Sequence, residues 1–147
     1  MIFYKFRKAL FLLLFPIFLL AQPLKKNLIN LSYEELKESF KNNEQDKNKQ
    51  LLYANAYLAK ANRENNPNEK ARGWYLLSLL CKGDKAIRYL DSTIHYSKNM
   101  NNVKFPAYAY SSKAYELKYQ SKYKEAIDNF LIAESIAKKM ILIFITM

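Results

Sequence analysis

Glycine is nearly absent from this chain, with two in 147 residues, and that scarcity excludes a glycine-rich loop cradling phosphates. Prolines number four, and no stretch reads as a series of hairpins, so an all-β architecture is excluded as well. The single cysteine, Cys81, cannot form an internal disulfide, and the fold must stand on packing. Cys81 sits in an apolar helical run with Leu76, Leu77, Leu79 and Leu80, where a buried, inert thiol is expected. One histidine, His95, rules out multi-histidine metal ligation and a base relayed between histidines. Long apolar runs are also lacking after the N-terminus, so no later membrane span is expected.

What is present is helix-forming. Half the residues are apolar, which sets the chain apart from disordered sequences. Residues 1–22 read as a secretory signal. Lys5, Arg7 and Lys8 form a positive stretch, Ala9 to Leu20 is apolar, and Ala21-Gln22 offers a cleavage point. Pro16 interrupts a run already short of a span, so an uncleaved anchor is the lesser alternative. The expected location is therefore outside the cytoplasm, in a periplasm or cell envelope. The formal charge of +11 falls to +8 once the three basic residues of that segment are set aside. The lysines are spread over every predicted helix between Asn and Glu, so a solvated basic surface is expected and direct nucleic-acid binding is not.

Six helices follow from start and stop signals. Ser32 and Glu35 form a capping box opening a helix to about Asn42. The next carries Leu51, Ala54, Tyr57, Leu58 and Ala61 on one face. Asn66 then caps a helix with Pro67 at its first position, holding Trp74, Leu77 and Leu80. Lys82-Gly83-Asp84 is a turn, Asp84 is suited to cap the fourth helix, and Ile87, Leu90 and Ile94 line it. Pro106 opens a fifth helix rich in Tyr and Ala, and Ser121 is suited to cap a sixth, from Lys122 to about Met140.

A single pattern repeats across them. Ala54, Leu58 and Ala61 are followed by Ala86, Leu90 and Thr93, and then by Ala126, Phe130 and Ala133, with starts 32 and 40 residues apart. Small residues stand where helices must cross closely, and one large side chain locks each pair. That period marks an α-solenoid of about three antiparallel helix pairs, a fold class that binds proteins without chemistry of its own. The third unit adds Tyr110, Ala114, Leu117 and Tyr123 in order.

With these residues the chain resembles the tetratricopeptide repeat family over roughly residues 32–140, most clearly in the last third. Lys113 and Ser121 depart from the family's usual large apolar residue and glycine. The runs 71–78 and 84–92 are similar to the exported N-terminal repeat regions of membrane-tethered helix-turn-helix regulators. The resemblance implies a partner groove on the first helix of each pair. In this chain Arg72, Tyr75, Tyr108, Ser111, Tyr115 and Lys118 would face it. No spanning helix or helix-turn-helix follows the repeats, so a truncated regulator fragment is expected.

The expected work is therefore protein or peptide binding, with no enzymatic activity, cofactor or metal. A self-associating envelope scaffold is the alternative. The apolar face of the sixth helix (Leu131, Ile132, Ile136, Ala137) predicts marginal stability or self-association, and the apolar tail, residues 141–147, has the composition of an aggregation-prone strand. For the twelve tyrosines, packing between repeats competes with a binding role.

Overall fold

The computed structural model describes residues 28, 30–98 and 104–145, and the expected signal segment lies outside them. Residues 1–32 and 33–147 form two units, and only the second is treated below. It contains six helices: α1 (Tyr33–Asn42), α2 (Lys47–Arg63), α3 (Pro67–Ser78), α4 (Gly83–Ser97), α5 (Lys104–Tyr119) and α6 (Tyr123–Ile145). Each packs on the next in sequence, and α3 also touches α5. The result is an all-α, solenoid-like repeat packing. Among the described residues, no helix is long and apolar enough to cross a membrane.

The small residues of the repeating pattern lie where helices meet. Ala54, Ala61, Ala86, Thr93, Ala126 and Ala133 are all buried, as are Leu58, Leu90 and Ala114, while Phe130 is half-buried. Leu51 is not on that face: it is 45% exposed, and Gln50 takes the buried position, its amide donating to the Phe40 carbonyl at 3.3 Å. Leu80 falls in the turn after α3, which ends at Ser78. Cys81 is in the same turn and half-buried, its Sγ 3.4 Å from the Leu77 carbonyl oxygen, and burial holds its thiol above the ordinary range.

Helix ends explain the turns. Asn66 caps α3 as the sequence suggests, its Oδ1 accepting from the Asn68 and Glu69 amides at 3.1 and 3.3 Å. Asp46 does the same for α2 through the Asn48 and Lys49 amides, both at 3.1 Å. The Lys49 amide chiefly holds the Asp46 carboxyl below its usual range. This contribution to stability is therefore complete above the unfolded carboxylate's range and is lost as the pH falls from there through the lower folded-state value.

Asp84 does not cap α4. The capping position is Lys82, which gives no side-chain bond, and the Gly83 amide instead donates to the Glu116 carboxylate of α5 at 2.6 Å. Asp84 lies in the first turn and accepts from the Gln120 amide at 2.9 Å. Glu116 of α5 and Gln120, in the turn just after it, thus tie down the start of α4.

Ser121 does not cap α6 either; it closes α5. Its φ is +62°, its amide donates to the Lys118 carbonyl at 3.0 Å, and the Lys122 amide donates to Leu117 at 3.0 Å. This is the left-handed helix stop that glycine ordinarily supplies, so the serine departs from the family pattern in identity but not in conformation. Asn65, with φ +48°, closes α2 in the same way. Because a side chain at positive φ is strained, Ser121→Gly should raise stability by about 1 kcal/mol, read by urea unfolding.

The start of α5 and the end of α6 differ from expectation. α5 begins at Lys104, before Pro106, which is tolerated in a first turn because its missing N–H has no helical acceptor there. α6 continues through Ile145, so residues 141–145 are helix, with Ile141, Leu142 and Ile145 exposed.

Candidate protein-binding face

Four side chains of α3 and α5 come together at the surface. The Tyr75 ring stacks on Tyr108 with centroids 6.3 Å apart and meets Phe105 edge-on at 6.1 Å. The Arg72 guanidinium lies 5.1 Å from the Phe105 centroid, in cation–π range. Tyr108 is the most exposed of the set, while Tyr75 is half-buried against the core made by Leu90, Ile94 and Ala109.

A polar relay from the core holds the arginine. Tyr57 of α2 is fully buried and its hydroxyl donates to the Glu69 carboxylate. Glu69 in turn lies 4.0 Å from Arg72. A similar bond joins Tyr33 of α1 to Glu64 at 2.7 Å, with Lys60 3.2 Å from the same carboxylate. The Tyr33 bond is the main cause holding Glu64 below the usual carboxylate range.

Burial, followed by the adjacent carboxylate, pushes both tyrosine hydroxyls above the ordinary tyrosine range. A raised folded-state value favours the protonated form. Their contribution to stability is thus complete below about pH 10, the unfolded value, and is lost as pH rises above it. Urea unfolding at stepped pH should show a decline beginning near that point, and Tyr33→Phe/Tyr57→Phe should flatten it.

The other expected groove residues lie apart from this set. Tyr115 stands on α5 two turns beyond Tyr108 and meets Phe130 of α6 edge-on at 5.1 Å. Ser111 is half-buried and Lys118 exposed, and among the described residues no ring contact or ion pair joins either to the aromatic set. Tyr123 is 61% exposed rather than packed between helices. Phe105, which completes the set, was not expected, because opening the helix at Pro106 leaves it outside.

Two further features complete the surface. An open cleft of about 250 Å³ lies among α4, α5 and α6, walled by Ile94, Tyr110, Ile132 and Ile136 with Lys98 and Lys139. Its walls account for the apolar character of Ile132 and Ile136. His95 is exposed and contacts the Tyr96 ring edge-on at 5.1 Å. Among the described residues no three His, Cys, Asp or Glu side chains gather where they could hold a metal.

The architecture and this face define a helix-repeat protein whose packing is compatible with protein–protein interaction. Comparison with known proteins finds no family model that matches the chain, no similar curated protein and no similar solved structure.

Proposed function

We propose that the chain is a non-enzymatic, tetratricopeptide-like module that binds a protein or peptide through the α3–α5 face. The observation that supports this reading is the cluster of Arg72, Tyr75, Phe105 and Tyr108. Its rings offer large contact area with few rotors to freeze, and the guanidinium adds a preorganised donor. Aromatic rings beside a cation suit a segment carrying both an apolar and an acidic side chain.

Export to the cell envelope is supported by the N-terminal charge and apolar pattern. A sensory role within a membrane-tethered regulator is supported by the likeness carried by residues 71–78 and 84–92.

The test is a pull-down with the full chain and with Arg72→Ala/Tyr108→Ala. Both side chains lie at the surface, so circular dichroism should be unchanged while retention of a heterologous protein falls at least about tenfold. Equal retention by the two forms contradicts the reading.

A second reading, self-association, is favoured by the exposed apolar face of α6. It predicts a mass that grows with concentration in light scattering, and a monomer at all concentrations opposes it.

A further inference from the structure

The outer face of α6 carries a pattern that reads the same in both directions. Ile127, Leu131, Glu134, Lys138, Ile141 and Ile145 follow one another at alternating spacings of four and three, the a/d spacing of a coiled-coil seam. The four apolar members are between 57% and 75% exposed. Glu134 and Lys138 are exposed as well and joined by an ion pair of 2.7 Å. The face beside it, with Ala126, Phe130 and Ala133, is the one turned toward α5.

We infer that this seam pairs antiparallel with the same seam of a second copy of the chain, about a twofold axis near Ile136. In that register Ile127 meets Ile145 of the other copy, Leu131 meets Ile141, and Glu134 meets Lys138. Every apolar residue finds an apolar partner and each charge its opposite. Parallel pairing in register would set Glu134 against Glu134 and Lys138 against Lys138, like charges facing across an apolar seam, which is strongly disfavoured. A twofold interface requires this self-complementarity, and the seam has it along its whole length.

The repeat register supplies a second, independent argument. The 40-residue offset that carries Ala86 to Ala126 and Leu90 to Phe130 carries Asp91 to Leu131. Asp91 is exposed on α4, and the Lys113 ammonium of α5 reaches it at 2.6 Å. The place on α4 equivalent to Leu131's therefore lies beside the next helix of the array. α6 presents it with leucine instead of aspartate. The seam runs from Ile127 to Ile145, roughly 27 Å of helix, long enough for a paired contact of about five turns.

The inference deepens the self-association reading and does not depend on the α3–α5 face. It is tested by disulfide crosslinking of the full chain, with Cys81→Ser as background. Ile127→Cys and Ile145→Cys, each with its own tag, are co-expressed and oxidised. The expected result is a mixed dimer carrying both tags and no homodisulfide from either variant alone, because equal positions lie roughly 27 Å apart along the axis. Adding Glu134→Lys to both chains should reduce the mixed dimer at least about tenfold. Adding Glu134→Lys to one chain and Lys138→Glu to the other should restore it, although each then carries like charges within its own helix. A homodisulfide at Ile127→Cys would overturn the antiparallel pairing while leaving self-association standing. Absence of any crosslink in a chain whose helical circular dichroism is intact would overturn both.

Discussion

Replacing Gly73 with leucine is expected to be the most damaging single change to the folded unit. Gly73 sits inside α3, where glycine is itself unfavourable by about 1 kcal/mol relative to alanine. It is kept by a close approach. A Cβ built there would lie 3.0 Å from the Leu58 Cβ and 3.1 Å from the Leu58 Cα. The second contact decides the sign, since a backbone atom within α2 cannot move aside as the tip of a flexible side chain can. Overpacking costs about 1–3 kcal/mol for a modest intrusion and more when several atoms are forced in. Gly73→Ala should therefore lose about 1 kcal/mol net despite its better helix propensity. Gly73→Leu should lose about 3 kcal/mol or more, and chemical unfolding of both variants checks the order. An alanine variant more stable than the parent would refute the tight α2–α3 crossing.

Tyr57→Ala should come close behind. Tyr57 is the largest fully buried side chain among the described residues, its ring tilted against Tyr33 at 4.9 Å. Truncating a buried aromatic to alanine costs about 3–5 kcal/mol, a large part of the 5–15 kcal/mol total of a typical domain. Tyr57→Phe keeps the ring and removes the donor to Glu69, so about 1 kcal/mol should be lost. The two variants separate packing from the relay. If the relay positions Arg72 as argued, Tyr57→Phe should also weaken partner retention, whereas a change elsewhere in the core of equal stability cost should not.

The repeating small residues were legible because their signal is local and periodic. An alanine every seven residues with a large residue between them is a one-helix pattern, and burial at Ala54, Ala61, Ala86, Ala126 and Ala133 follows from it. Asn66 was legible for the same reason, since a cap and its helix adjoin in sequence. The missed features join residues far apart. Nothing near Asp84 signals that Glu116 reaches the Gly83 amide from 33 residues away. Ser121 offers a cap-forming hydroxyl and no sign that its backbone will turn left-handed. Gly73 lies within residues 71–78, but only the position of Leu58 across the crossing explains it.

The aromatic cluster on which the proposed binding face rests was legible in part. Tyr75, Tyr108 and Arg72 follow from the first-helix positions of two units, and the contacts bring them together. Tyr115 shares their helix but is drawn toward Phe130, which lies a helix away and is invisible to spacing along α5.

The proposed role rests on the α3–α5 face, and hydrogen–deuterium exchange of the full chain, with and without its captured partner, tests it most directly. Slowed exchange should fall in α3 and α5, with α1 and the outer half of α6 unchanged. Protection confined to α6, or none in the α3 and α5 peptides at saturating partner, would contradict it.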